Sequence, residues 1–394
     1  MINIIDKKNC CGCSACASIC PKQCISMVED YEGFLYPSIN KDICIDCSLC
    51  EKACNELHPF NKREPIKVLA AINKNNDIRL ESSSGGIFYL LAEKIINEGG
   101  IVFGARFDND FQVVIDYTDT KEGIKKFMGS KYVQARIETA YIDAKRFLNE
   151  GKKVLFSGTP CQVAGLHKFL KKQYDNLLSV DFICHGVPSP KVWGMYLNNV
   201  LDCNKQIKNI SFRNKINGWK SRHFSIEYNE LARTYSIINS ANHNHYMKAF
   251  LSDLILRPSC YSCNAKSCSS QSDITLADFW GIWNINQQMY DDKGTSMLLI
   301  NTEMGIKELP SDKSVIYAKA NYDDAKQYNK ACIVSVTPHL KREEFFDQLQ
   351  NTTDVIKLID KTLALPYIKR YTNRFKGYIK KILKYYVNER GQKQ

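Results

Sequence analysis

The sequence has no apolar run approaching the roughly 20 residues that cross a bilayer, so nothing in it reads as a membrane span. Met1 to Lys8 lack the basic stretch and apolar core of a secretory signal, and a cytoplasmic location is expected. Neither G-x-G-x-x-G nor G-x4-G-K-[ST] occurs, so a standard dinucleotide fold or P-loop has no support. There is no internal repeat apart from one cysteine pattern. Hydrophobic content of 44% and charged content of 24% are ordinary for a globular protein, and 394 residues suffice for two or three domains.

Cysteine, by contrast, is abundant and unevenly placed. Ten of the 17 fall within the first 54 residues. Cys10, Cys13, Cys16 and Cys20 are spaced C-x2-C-x2-C-x3-C and are followed by Pro21; Cys44, Cys47, Cys50 and Cys54 repeat the spacing, with Asn55 in place of the proline. This is the pattern of bacterial two-cluster ferredoxins, in which each run gives three thiolates to one [4Fe–4S] cubane and its fourth to the other. The expected sets are therefore Cys10, Cys13, Cys16 and Cys54, and Cys44, Cys47, Cys50 and Cys20. A zinc ribbon uses two separated C-x2-C pairs and fits two complete runs of four badly. Cys11 and Cys24 are left over and read as small buried fillers. A reducing compartment follows, since cysteines so spaced are metal ligands and not disulfides.

The expected fold class is α+β. Residues 1–58 form the two-cluster module, with a β-hairpin around Gly33. His58–Pro65 is a linker. Residues 66–305 form an α/β domain with a mixed sheet, and residues 306–394 a helical region. Strands are expected at Val68–Ile72, Ile101–Phe107, Val113–Tyr117, Val154–Phe156 and Leu177–Ile183, with further stretches near Ile207–Phe212, Phe224–Tyr228 and Asp273–Phe279 joining the sheet. The net charge of +12 is concentrated at the end. Tyr367–Gln394 holds nine cations and one acid, Glu389, with apolar residues at helical spacing. That tail reads as a solvated terminal helix, or as a basic helix for peripheral contact with an anionic membrane. Nucleic-acid binding is not expected, since the rest of the chain is only mildly basic.

Three segments carry candidate chemistry. Ser82-Ser83-Ser84-Gly85-Gly86 opens a helix and offers hydroxyls and exposed N–H groups to an anion; the plain alternative is a serine N-cap. Ser157-Gly158-Thr159-Pro160-Cys161 lies between a strand and a helix, the usual place for a ligand loop. Cys184-His185 ends the next strand on the same side, and Cys260 and Cys263 add another C-x2-C. Cys161, Cys184, Cys260 and Cys263 could hold a third cluster, a zinc ion or nothing, with Cys268 in reserve; Cys203 and Cys332 read as structural. His185 is a candidate proton donor or an ordinary hydrogen-bonded histidine.

These segments, in this order, resemble the coenzyme F-420 hydrogenase/dehydrogenase beta-subunit family: SSSGGIFYLLAE at Ser82–Glu93, GSKYVQA at Gly129–Ala135, VLFSGTPCQVAGL at Val154–Leu166, DFICHGVPSP at Asp181–Pro190, FRNKINGW at Phe212–Trp219, LRPSCYSC at Leu256–Cys263 and SDITLADFWGI at Ser272–Ile282. The stretch Asn264–Gln271 is less basic than the family pattern. The resemblance implies an iron–sulfur flavoprotein that binds FAD and moves electrons between clusters and a two-electron partner, which in some members is coenzyme F-420. It also favours a [4Fe–4S] cluster at Cys161, Cys184, Cys260 and Cys263. A cubane passes one electron at a time and a hydride carrier two; a flavin between them exchanges either. FAD contacts are expected at Ser83, Ser84, Gly85, Gly86, Gly158, Thr159 and Pro160, with Lys131 against a phosphate or the ring edge. The expected partners are a redox protein or ferredoxin and a small two-electron carrier or substrate. Two alternatives remain: a reductase in cell-surface polysaccharide metabolism, and a non-catalytic electron-transfer subunit of a larger complex.

Overall fold

The continuous apolar runs of the middle of the chain become the parallel heart of a sheet, as fully buried strands must. The structure is a computed structural model that describes residues 1–201, 205–231 and 233–364; the basic tail and Cys203 lie outside the described residues. The strands, in chain order, are β1 (Ile25–Glu29), β2 (Leu35–Ile39), β3 (Lys67–Asn73), β4 (Ile101–Phe107), β5 (Val113–Thr118), β6 (Val154–Ser157), β7 (Leu177–Phe182), β8 (Gln206–Asn214), β9 (His223–Glu230), β10 (Arg233–Ser240), β11 (Ile274–Asp278), β12 (Ser296–Ile300) and β13 (Val315–Lys319). Eight of them form one sheet in the order β13-β3-β12-β11-β7-β6-β4-β5. Strands β4, β6, β7 and β11 run parallel, and antiparallel strands flank them on both sides. The chain is an α+β protein with a mixed sheet.

Two features differ from the sequence reading. The stretches near Ile207–Phe212 and Phe224–Tyr228 do not join the large sheet; with β10 they make a separate three-stranded antiparallel sheet. Polar residues alternate along their outer faces, the mark of a sheet covered on one side only. The polar region after Pro310 contains a strand as well as helices: β13 pairs with β3 at the sheet edge, where only Val315 is buried and the apolar signal is weak.

The hairpin β1–β2 forms, with Gly33 at φ +89° in its turn. The cysteine-rich segment shares its core with the body. Cys11, Cys13, Ala15, Phe34 and Ala53 belong to the same buried cluster as Phe156, Leu166, Trp193 and Phe346. At Gly33 a Cβ would meet Lys191 Cβ at 2.3 Å, so the turn has to be glycine for the hairpin to seat. The stretch read as a linker is pinned too. Arg63 donates from Nε to the Cys268 carbonyl at 3.0 Å and from Nη2 to the Ser272 carbonyl, and Lys168 sits 4.0 Å from the Phe60 ring centre.

Candidate functional site

A cavity of about 490 Å³ opens beyond the C-terminal ends of the parallel strands, where open α/β sheets bind ligands. Strand β6 delivers Ser157, Gly158 and Thr159 to its wall, β7 delivers Cys184 and His185, and β11 delivers Asp278 and Trp280; Ser82, Ser83, Ser84, Gly86 and Lys131 close another side. Of the residues expected to contact FAD, Gly85 and Pro160 do not line the cavity. Gly85 is pressed on the sheet, where a Cβ would come within 2.4 Å of the Ala71 carbonyl oxygen. Pro160 starts the helix Pro160–Leu170, whose Thr159 cap is completed by Gln162.

The serine loop is not a serine N-cap. The residue capping helix Ile87–Asn97 is Gly86, left-handed at φ +79°, and no side chain caps the helix. The serines serve elsewhere. Ser84 donates to the Thr295 carbonyl at 2.8 Å, Ser83 and Ser130 share a hydrogen bond of 2.8 Å, and Ser82 bonds the Ile78 carbonyl. The helix terminus, with its partial positive charge, therefore faces the cavity without a side-chain oxygen on it. Lys215 secures the loop from behind, giving its ammonium to the carbonyls of Arg79, Ser84 and Lys293, each at 2.7 Å. Burial pushes that lysine down to about 7.

Lys131 lies across the cavity and donates to main-chain oxygens, those of Met128 at 2.8 Å and Gly129 at 3.4 Å. Loss of surrounding water pushes it down to about 7. His185 holds Asp253 at 2.7 Å through Nε2 and packs edge-on against Phe250. Sequence reasoning did not single out Arg213, which is anchored by Asp278 at 2.8 Å, while Trp219 Nε1 donates to the other oxygen of that carboxylate. Trp219 in turn stacks on Trp280 at 4.7 Å, 3° from parallel. Among the described residues Arg213 Nη2 and Asn329 Nδ2 are buried with no hydrogen-bond partner, and both residues line the cavity. The signal for Arg213 was present in FRNKINGW; Asn329 lies in a stretch with no motif.

The cysteines gather in three places. Cys20, Cys44, Cys47 and Cys50 line one small cavity, and these are the four expected to share a cluster. Around Cys16, burial and then the charges of Cys10 and Cys54 push the thiol up to about 12; Cys13 also feels Cys16. The third group is assembled from segments up to a hundred residues apart. Burial raises Cys184 well above the usual thiol range, helped by Cys260, Cys161 and Cys263. Cys260 is pushed to about 12 by burial and Cys263 to about 11, each also under the charge of Cys161. Cys184 belongs to this group and to the cavity wall at once. Cys11 is buried, as expected, and its thiol feels those of Cys13 and Cys161, so it stands between the first group and the third. Gly165 leaves room for this approach, since a Cβ there would sit 3.0 Å from Cys13 Sγ. Cys24 lies 3.3 Å from Cys20, and Cys268 and Cys332 are buried near each other and apart from the third group.

Among the described residues no group of three or more His, Cys, Asp or Glu side chains is arranged to hold a metal ion. A cubane suits grouped but separated thiols, since each cysteine binds a different iron.

Residues 151–320 match the family model that describes the C terminus of the coenzyme F420 hydrogenase/dehydrogenase beta subunit. This segment is similar to the C terminus of that subunit. The matched residues include Ser157–Cys161, Cys184, His185, Arg213, Cys260, Cys263, Asp278 and Trp280. The uncharacterised protein MJ1349 of Methanocaldococcus jannaschii is 22% identical over 335 residues, covering 76% of this chain and 85% of that protein. The uncharacterised polyferredoxin-like protein MJ1302 of the same organism is 32% identical over 65 residues, 14% of this chain and 39% of that protein. A chain of the F420-reducing [NiFe] hydrogenase complex from Methanosarcina barkeri superposes with a TM-score of 0.45 at 17% identity, covering 76% of this chain and 90% of that one. No helix among the described residues is long and apolar enough to cross a membrane.

Proposed function

We propose that the chain is an iron–sulfur flavoprotein oxidoreductase. In this reading residues 1–58 hold two [4Fe–4S] clusters. Cys161, Cys184, Cys260 and Cys263 hold a third, FAD occupies the cavity, and a small two-electron carrier or substrate meets it there. The observation that carries the reading is the grouping of those four cysteines, of which Cys184 lines the cavity, because buried structural cysteines have no reason to converge from separate strand ends and a distant loop.

FAD would supply the exchange between one-electron and two-electron chemistry. The protein's own part is to bind, orient and shield. The uncapped terminus of helix Ile87–Asn97 and Lys131 favour a phosphate or another anionic edge. Arg213 Nη2 and Asn329 Nδ2 offer unpaired donors to oxygen acceptors of whatever fills the cavity. His185, fixed by Asp253, stands at the wall as a candidate proton donor to the two-electron partner. Cys47 is exposed whereas Cys13, Cys16 and Cys54 are buried. A protein partner therefore reaches the second cysteine run most easily, leaving the first and third groups for internal transfer.

The test is anaerobic purification with iron analysis and a visible spectrum. About twelve irons per chain, four to each cubane, with bound flavin supports the full reading; about eight removes the third cluster, and about four removes the two-run assignment. Oxidation of reduced coenzyme F-420 by the isolated chain would separate a catalyst from a subunit that only wires a partner enzyme.

A further inference from the structure

Arg257 is fully buried, at 0% exposure, and none of its hydrogen bonds goes to a carboxylate. Nε donates to the Cys10 carbonyl at 2.8 Å, Nη1 to Gln134 Oε1 at 3.0 Å, and Nη2 to the Leu35 carbonyl at 2.9 Å, with Cys10 Sγ at 3.6 Å from Nη2. The guanidinium lies 4.3 Å from the Tyr36 ring centre and 5.4 Å from that of Phe34. Gly12, at φ +69°, is seated against it; a Cβ there would come within 2.7 Å of Nη1. Gln134 completes the clamp by donating to the Cys11 carbonyl at 3.0 Å. Apart from Tyr36, the ionisable groups acting most strongly on Arg257 are thiols: Cys10, Cys11 and Cys260. Glu56 feels the guanidinium's charge from a distance but makes no hydrogen bond to it, its carboxylate accepting from Asn264 at 2.7 Å.

An arginine is always charged, and a buried charge without a counter-charge is expensive. The aromatic faces of Tyr36 and Phe34 supply part of the compensation; carbonyl dipoles supply more. The full negative charge in hydrogen-bond reach is what Cys10 carries once it is a thiolate ligand, its Sγ lying 3.6 Å from Nη2. Arg257 belongs to the body of the protein, three residues before Cys260, and every side-chain hydrogen bond except that to Gln134 goes to the N-terminal module.

We propose that Arg257 is the counter-charge of the first cysteine set. It holds the N-terminal module on the body when Cys10, Cys13, Cys16 and Cys54 carry the negative charge of a bound cluster, and it raises that cluster's reduction potential. This rests on the cluster reading above. Charge and hydrogen bonds to the sulfurs are among the levers that set such potentials. Removing a cation disfavours the more negative, reduced form, so the potential falls without it. Arg257 is a positioning residue: it touches the ligand set and not the substrate.

The experiment uses the full chain, purified anaerobically, as parent, Arg257→Lys and Arg257→Gln. Iron is counted, and the clusters are titrated against potential with electron paramagnetic resonance as the readout. In Arg257→Gln with full iron, one cluster should become about tenfold harder to reduce, a shift of about 59 mV for one electron, while the others stay put; Arg257→Lys should recover most of it. Full iron with unchanged potentials in Arg257→Gln overturns the proposal. If that variant loses iron, the parent decides. Chelating its iron should speed hydrogen exchange at least tenfold at Gly12 and Leu35 while β6 and β7 stay protected; equal protection at Gly12 and Leu35 overturns the proposal. A parent without cubane signals overturns the cluster reading itself.

Discussion

Replacing Glu32 with Gln should loosen the N-terminal module more than any surface change there. Glu32 and Arg342 form a two-pronged ion pair at 3.0 and 2.6 Å, with side-chain exposures of 4% and 9%. Glu32 sits in the β1–β2 turn, and its carbonyl accepts from Ser189 Oγ. Arg342 also donates to the Leu256 carbonyl, next to Arg257. Glutamine keeps the shape and deletes the charge, leaving the guanidinium buried and uncompensated. Removing one partner of a buried pair costs about 3–5 kcal/mol, roughly a fifth or more of a typical total of about 5–15 kcal/mol. With a slope of roughly 1–3 kcal/mol per molar urea, the unfolding midpoint should fall by roughly 1 M or more. The double variant Glu32→Gln with Arg342→Met should regain much of the loss, because an apolar replacement has no charge to compensate. Midpoints are the quantity to compare, since metal-bearing proteins depart from two-state unfolding. A Glu32→Gln chain as stable as the parent, or a double variant equal to the sum of the singles, would refute the reasoning.

The remaining predictions concern the cofactors. Cys184→Ser should remove about four irons and stop transfer from clusters to flavin, while flavin reduction by a direct hydride donor persists; a variant with full iron content sinks the third cluster. Cys54→Ala should damage the cluster built mainly on the first run, because the fourth ligands cross over, and a loss confined to the second run's signals would contradict the crossing. Lys131, pushed down to about 7, is charged below that pH and neutral above it. FAD binding, measured by quenching of flavin fluorescence, should therefore weaken from pH 6 to pH 8, and Lys131→Met should flatten the profile. The same depression means that the unfolded chain binds the extra proton, so the lysine's contribution to stability rises between pH 7 and its ordinary value of 10.5. An unchanged pH profile in the variant would remove Lys131 from the phosphate site.

The parts of this molecule that were legible in the sequence are those whose chemistry is local. The cysteine runs, the serine–glycine loop and the loop after β6 each carry their spacing within a dozen residues, and the buried strands announce themselves as unbroken apolar runs. What escaped is what the fold brings together. Strands β8 and β9 look like any other half-buried strands, and nothing local says that they pair with β10 and leave the main sheet. Asn329 has no motif, and only the packing of Tyr328 against Gly281, where a Cβ would come within 2.2 Å of the ring, carries the adjoining asparagine to the cavity beside Trp280. Cys11 is buried as expected, but its nearness to Cys161, 150 positions along the chain, comes only from the docking of the N-terminal module. Arg257 was hidden for the same reason. In the sequence it is one cation in LRPSCYSC, next to a proline, and a cation beside cysteines reads as ordinary surface charge. Its meaning comes from burial without a carboxylate, which no window of sequence records. A residue that joins the N-terminal module to the body is therefore found by asking where a buried charge finds its compensation.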